Sequence, residues 1–437
     1  MTNDFFSEFD QVPIEAWEER LKRDLKGESL EDKLHYTDEI EGLNFKAYSH
    51  HEEFVYHHSN PGKPNYIRGI YSSDNQWKHT VKVPYDHPKK MNEQALFFLM
   101  NGANGLIIDF KEMPIEDCKT VLNEIQLKYI TATFYYHTKE QKKWLKALSD
   151  NNDAFNGAIL GQGDLTSTLI PFTRSKEIDG TQVQRAGGNS MQEIAYLLHV
   201  GHRSLFDMIE NGMSIDEAAP KLHFKIGVGN NYFVQIAKQR IFRRLWAEVV
   251  SAYKPDHDCS KAAYVQCEVG LLNKSLEDPH TNLLRQTTEA MSAIIGGTNE
   301  LYIQPYNARA KNPDLKNTQR LALNIGLILQ EEAYFDKVID PSGGSFSIEQ
   351  LSEELQNKTW SLFQEVEKKG LDSLKTVINK TKLKRIEKVE KNENTLIGIN
   401  VYKNESKNPE KWHQPIDLEM GEELILERDC QLETVNQ

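Results

Sequence analysis

Several groups of residues in this chain have types and spacing suited to chemistry. Gly227-Val228-Gly229 stands between an apolar run and a long helical pattern, a place where backbone N–H groups can cradle a phosphate. The sixth position is Tyr232 instead of glycine, so this is no dinucleotide fingerprint, and close packing of a strand on a helix explains the glycines better than an anion does. Gly161-Gln162-Gly163-Asp164 reads as a turn. The pairs His50-His51 and His57-His58 suit a metal by residue type, but no carboxylate or cysteine is arranged with them, and solvated surface histidines account for the pattern. Arg240 and Arg243 share a helix with Trp246 and suit an interior ion pair or a surface role better than a substrate contact. The four cysteines, Cys118, Cys259, Cys267 and Cys430, show no C-x-x-C spacing, which points to reduced thiols in a cytoplasm and not to a disulfide framework or a zinc site.

The elements that must position such groups are clearest between Asp278 and Gln304. Asp278 is a good N-cap and Pro279 fits a first helical position. Leu283, Leu284, Thr287, Ala290, Met291 and Ile294 recur at helical spacing and predict one buried face. Gly296 and Gly297 stop the helix, and Leu301–Gln304 follows as a short strand. A capped helix feeding a short apolar strand is the repeating unit of an α/β barrel. Further candidate strands are Leu96–Met100, Leu106–Asp109, Tyr129–Phe134, Gly157–Leu160, Gln182–Arg185, Phe224–Val228 and Ala263–Cys267. Helical patterns such as Ile115–Leu127, Gln192–Asn211 and Tyr232–Tyr253 separate most of them, although the first two strands sit too close for a full crossover helix. The expectation is an α/β fold: a TIM (β/α)8 barrel with an N-terminal extension and a helical C-terminal extension.

The expected organisation is an N-terminal arm and subunit-contact extension over 1–89, the barrel over 90–310, a helical extension over 311–402 and a tail over 403–437. In the arm, Pro13 and Gly27 bracket a helix with the stripe Ile14, Trp17, Leu21 and Leu25, which either packs on its own domain or wraps a partner. Asn65–Tyr71 and Trp77–Val83 could be strands. Arg320–Glu332 and Ile348–Lys369 read as helices, and Lys380–Lys391 alternates in sign as a solvated face does. A length of 437 residues, 39% hydrophobic and 27% charged, fits a globular protein. No run of eighteen apolar residues is present, so no membrane span is expected. The acidic, aromatic start (Asp4, Phe5, Phe6, Glu8, Phe9) is unlike a secretory signal. A net charge of −13 argues against nucleic acid as a partner.

Several blocks carry a family resemblance. The first is Ile215-Asp216-x-x-Ala219-Pro220-Lys221-Leu222-x-Phe224, continuing through Gly229-Asn230-Asn231-Tyr232-Phe233 and Ile236-Ala237-Lys238-x-Arg240 to Arg243-Arg244-Leu245-Trp246. The others are Asp278–Gly297 and the cluster Asp340-Pro341-Ser342-Gly343-Gly344-Ser345. In this order they resemble the barrel of the adenosylcobalamin-dependent acyl-CoA mutases, methylmalonyl-CoA mutase above all; Leu34–Tyr48, with Glu41-Gly42-Leu43, resembles the N-terminal segment of that family. The resemblance implies radical chemistry, in which the cofactor carries the hard step and the protein positions and shields it. It also implies a tyrosine and histidines at the barrel mouth.

At those positions this chain departs from the family. The Tyr-His-Met-Gln-Glu-Ala-Gly strand end falls on Thr181 to Gly187, so Gln182 stands at the histidine and Thr181 at the tyrosine before it. The segment ending in the mouth tyrosine falls on Trp77 to Lys82, so that phenol becomes Lys82; His79 nearby is no substitute. A further histidine position falls on Gln266. Asp278-Pro279-His280 imitates the start of the cobalamin domain's Asp-x-His-x-x-Gly signature, but Leu283 replaces the glycine, and helix capping explains it. No cobalamin domain is expected in residues 403–437, which are fewer than a domain needs. The resemblance therefore points to the non-catalytic small (beta) subunit of a heterodimeric methylmalonyl-CoA mutase, which interconverts methylmalonyl-CoA and succinyl-CoA. The chain itself is expected to bear no catalytic residue, metal or cofactor. A large catalytic subunit would carry adenosylcobalamin, and the chain in isolation could form a homodimer. Two other readings stay open: the barrel of a split mutase with its cobalamin domain on another chain, and a module that binds an acyl-CoA without reacting it.

Overall fold

The computed structural model describes residues 12–53, 59–150, 155–161, 173–310 and 313–403, with residue 10 and two short strands, Leu418–Glu419 and Ile425–Leu426. At its centre are eight parallel strands: β1 (Lys78–Lys82), β2 (Gly105–Asp109), β3 (Thr131–Tyr136), β4 (Asn156–Gly161), β5 (Lys176–Asp179), β6 (Leu222–Val228), β7 (Val265–Val269) and β8 (Glu300–Ile303). They pair in the order β4-β3-β2-β1-β8-β7-β6-β5, so sequence neighbours lie side by side and β8 pairs with β1. The remaining seam, between β4 and β5, closes through a parallel bridge of Ala158 with Arg174. There Ile159 N–H donates to the Arg174 carbonyl at 2.9 Å, and Arg174 N–H donates to the Gly157 carbonyl at 3.1 Å. The fold is the expected (β/α)8 barrel. Helices α1 (Pro88–Met100), α2 (Ile115–Val121), α3 (Lys139–Asp150), α4 (Ser190–Glu210), α5 (Tyr232–Ser251), α6 (Thr281–Ile295) and α7 (Leu315–Glu331) surround it, and α8 (Phe346–Lys369) and α9 (Leu371–Glu390) extend it.

The strands alternate sharply. Ile178, Phe224, Ile226, Val228, Val265, Cys267, Leu301 and Ile303 join one apolar core with α4 to α8, while Leu106, Ile108, Ala132, Phe134 and Ile159 join another with α1 to α3. Period-two geometry sends the intervening residues to the barrel axis. The first core leaves no slack at Gly201 of α4, where a Cβ would lie 2.8 Å from the Trp246 ring and 3.1 Å from Phe224. Gly201→Val should therefore cost about 1–3 kcal/mol by overpacking, read as a lowered midpoint in denaturant unfolding.

Four expectations are corrected. Leu96–Met100 is the end of α1, not a strand; Met91, Ala95 and Phe98 are its buried face, and a short apolar run cannot be told from a buried helix by pattern alone. The eighth strand is Lys78–Lys82, inside the expected strand Trp77–Val83, but it belongs to the barrel and not to the arm to which residues 1–89 were assigned. Gln182–Arg185 belongs to a short helix, Thr181–Arg185. The strand before it ends at Asp179, whose carboxylate accepts from the Thr181 N–H at 3.0 Å and hydroxyl at 2.5 Å, a local bond that turns the chain. Asn65–Tyr71 is a run of turns, with Asn65 and Tyr66 at positive φ.

Helix α6 begins at Thr281 with His280 at its N-cap, so Asp278 and Pro279 are not the expected cap and first helical residue; they form the preceding turn, in which Asp278 accepts from the Thr281 hydroxyl at 2.7 Å. Gly297, at φ 84°, ends the helix. Its buried face is partly polar: Leu284 is exposed, while Asn282, Gln286 and Glu289 are buried. The loops after β7 and β8 lie on that face, with Asn282 donating to the Ser275 carbonyl and Gln286 to the Gln304 carbonyl, both at 2.7 Å.

In the arm, the helix Ile14–Asp24 buries no residue fully, and the Trp17 ring packs against Tyr48 in a tilted arrangement, centroids 4.6 Å apart. The hairpin of His35–Asp38 and Leu43–Lys46 docks by its tip. Asn189, the N-cap of α4, donates to the Ile40 carbonyl at 2.9 Å. Glu41 accepts from the Ser190 N–H at 2.9 Å, where the helix dipole favours a carboxylate.

Candidate functional site: the barrel mouth

Barrel interiors of this class are usually filled by bulky branched side chains. Here the axis carries polar and charged ones in two layers. In the deeper layer Glu300 is the hub. It accepts from the Thr80 hydroxyl at 3.2 Å, the Tyr264 hydroxyl at 2.9 Å and the Gln266 amide at 3.2 Å. Arg174 lies 3.7 Å from the Glu300 carboxylate and its guanidinium stands 3.7 Å over the Tyr264 ring. His223 is 3.4 Å from Gln266; burial, with the charge of Arg174 beside it, pushes its pKa down to about 3, so the imidazole is neutral.

The upper layer, at the carboxyl ends of the strands, centres on Lys225 of β6. Its ammonium is 2.9 Å from Asp179, 3.8 Å from Glu177 and 4.0 Å from Glu268. Burial opposes that charge, but the carboxylates overcome it and hold the lysine pKa well above its ordinary value. Burial also raises Glu177, with Lys225 pulling the other way. Asp179 ends at about 2 despite burial, because Lys225 and Arg185 favour its ionised form. Tyr135 donates to Glu177, and Gln304 to Glu268. Burial first, then Glu177, keeps the Tyr135 phenol protonated.

Of the residues singled out from sequence, Lys82 ends β1 at this mouth with its side chain reaching solvent. The crowding of the mouth and the charge of Lys225 lower its pKa. Gln182 is half-buried in the short helix, and its Oε1 meets no donor. Gln266 lies one layer deeper, tied to Glu300 and His223, so the three do not converge on one point. His79 faces outward from β1, with Nε2 2.6 Å from Gln330 on α7. The Gly227 N–H donates to Glu193 at 2.6 Å, and Lys238 donates to Glu193 at 2.9 Å; that backbone group serves packing, not phosphate. Arg240 makes the interior ion pair expected of it, at 2.6 Å from Asp340 and 2.5 Å from Glu349, and Arg68 reaches Asp340 at 3.0 Å. Arg243 donates to the Gly296 and Gly297 carbonyls, the C-terminus of α6. His50 lies 3.0 Å from the Val12 carbonyl. Residues 57–58, 162–164 and Cys430 lie outside the described residues.

The sequence profile of the methylmalonyl-CoA mutase family matches residues 162–428, more than half of the chain. The chain belongs to the methylmalonyl-CoA mutase family. The methylmalonyl-CoA mutase small subunit of Porphyromonas gingivalis is 29% identical over 91% of this chain and 71% of its own. Methylmalonyl-CoA mutase of Rhizobium meliloti is 32% identical over 58% of this chain, and that of Cereibacter sphaeroides 33% over 74%. Those two matches span only 36% and 49% of the relatives' own lengths.

Within this methylmalonyl-CoA mutase barrel, sequence reasoning missed the residues that fill the mouth: Tyr135, Glu177, Asp179, Lys225, Glu268 and Tyr302. One of its two phenols and an imidazole on the rim are each held by a carboxylate of the same chain. Tyr135 bonds Glu177, and His137 lies 2.8 Å from Asp109 on the rim. The signal was present in the strands themselves. Glu177 and Asp179, His223 and Lys225, Gln266 and Glu268 are polar at every second position, in parallel strands that must be covered on both faces. Such alternation marks an interior lined with ions.

Proposed function

We propose that this chain is the non-catalytic barrel of a two-chain methylmalonyl-CoA mutase, supporting a large catalytic chain in the cytoplasm. One observation carries the reading: the buried ions of the mouth, Lys225 with Glu177, Asp179 and Glu268, pair with one another. Three carboxylates neutralise Lys225, so this buried cation is committed within the chain and not to a substrate carboxylate. Lys82 and Gln182 stand where the family resemblance calls for a phenol and an imidazole. Adenosylcobalamin would supply radical chemistry by cleavage of its cobalt–carbon bond. The residues at this mouth do not suit it, because a transition-state site needs polar groups held ready for the reacting atoms, and these are committed to each other. On this reading cobalamin and substrate belong to the partner chain. The small-subunit name of the P. gingivalis relative supports the same arrangement. No helix among the described residues is long and apolar enough to cross a membrane.

The test is capture of the tagged chain from its native cytoplasm, followed by identification of what accompanies it. The expected result is a larger mutase chain in a one-to-one complex, with no turnover by the tagged chain alone. Rearrangement of an acyl-CoA on mixing this chain with adenosylcobalamin and a separate cobalamin-binding chain would overturn the reading.

A further inference from the structure

The cations at the barrel mouth are not alike. Lys225 is held by Glu177, Asp179 and Glu268. Lys111 lies 2.7 Å from Asp109, and Arg185 donates to the Thr181 hydroxyl at 3.3 Å. Lys82 has no hydrogen-bond or ion-pair partner among the described residues, and it is exposed. Alternation sets its direction. Val81 joins an apolar cluster with Phe98 and Leu323, so Thr80 and Lys82 turn to the axis. The register neighbour of Lys82 on β2 is Ile107, which offers no acceptor from its side chain. The charges that act on Lys82 are Lys225 of β6, Glu268 of β7, and Asp109 and Lys111 at the end of β2.

We propose that Lys82 is a covalent modification site, an accessible amine at the barrel mouth that accepts an acyl group from a thioester. An amine becomes a nucleophile when crowding or a neighbouring cation disfavours its charged form. Both act here: burial first, then the charge of Lys225, lower the Lys82 pKa from 10.5, with Glu268 and Asp109 pulling the other way. The neutral Nζ attacks the thioester carbonyl carbon with its lone pair. The C–N bond forms, the C–S bond breaks, and one amine proton ends on the departing thiol. No oxidant or reductant is needed. The product amide is uncharged, which removes the like charge near Lys225. Docking of an anion is the poorer reading, because it would call on more than one free cation and Lys225, Lys111 and Arg185 are engaged. The choice of a thioester rests on the proposed function. The reactivity of the amine does not, and it is read on this full chain with no partner present, so either can fail alone.

The test is limited labelling of the full chain with S-acetyl-N-acetylcysteamine, a thioester without a nucleotide, followed by peptide mass mapping. Lys111, paired on the same rim, is the internal standard. Lys82 should acetylate about threefold or more faster than Lys111 near pH 7. The excess should shrink near pH 10, where ordinary lysines also shed their protons. In Lys82→Arg the excess label should vanish from that peptide. Equal or slower labelling of Lys82 near pH 7 would overturn the proposal. So would an excess that does not shrink with rising pH, because accessibility alone would then explain it.

Discussion

Lys225→Met should destabilise the barrel by about 3–5 kcal/mol, because it leaves buried carboxylates without their counter-ion. Asp179, Glu177 and Glu268 all face the ammonium within 4.0 Å. Methionine matches the length of the lysine stem, so loss of charge dominates over loss of packing. The pH dependence supplies a sign. In the parent, Asp179 has a folded pKa of about 2 against an ordinary 3.8. A depressed carboxyl contributes stability above its unfolded pKa and loses it as pH falls through the folded value. Acid therefore weakens the parent through this group. In the variant the folded pKa values of the same carboxyls rise above their unfolded ones, so stability grows as pH falls. Denaturant unfolding between about pH 8 and pH 5 should show the gap between variant and parent narrowing with acid. A gap that stays constant or widens would mean that Lys225 acts through packing alone.

Arg240→Met, on α5, should have an effect of similar size, about 3–5 kcal/mol. The guanidinium is buried and holds Asp340 and Glu349 together. Asp340 has a positive φ of 45°, a conformation that surrounding bonds must enforce. Burial raises its pKa, against the pull of Arg240 and Arg68. Glu349 in turn accepts from the Gly344 N–H at 2.9 Å, so the turn leading into α8 hangs on this arginine. Arg240→Lys should recover only part of the loss, since an ammonium cannot reach both carboxylates as a planar fork does. Asp340→Leu combined with Arg240→Met should cost less than the sum of the two single changes, because the groups share partners. Thermal unfolding of the set checks this; additive losses would contradict the cluster.

The barrel was legible wherever outward apolar residues and long helices repeat. Phe224, Ile226 and Val228 lead into α5 with its string of buried positions, and Leu106 to Ile108 behaves likewise. Strand β1 was harder to read. Its sequence, Lys78-His79-Thr80-Val81-Lys82, has one aliphatic residue, because Thr80 and Lys82 face a polar axis and His79 finds Gln330 on a helix about 250 residues later. The apolar run at Leu96–Met100 drew the assignment instead. Gln182 was placed on a strand because nothing local announces that Asp179 will cap a turn through Thr181. The ionic mouth depends on meetings of Tyr135 with Glu177 and of Lys225 with Asp179 across separate strands. Alternation hints at those partners, but only barrel closure brings them together.

The most direct measurement is turnover by the assembled two-chain complex carrying Lys82→Ala and Tyr135→Phe in this chain alone. The scaffold account predicts a kcat within about twofold of the parent complex, since the chemistry lies in the partner. A loss of about a hundredfold or more, the scale of a missing acid, base or positioned donor, with the complex still assembled, would show that this mouth takes part in the reaction.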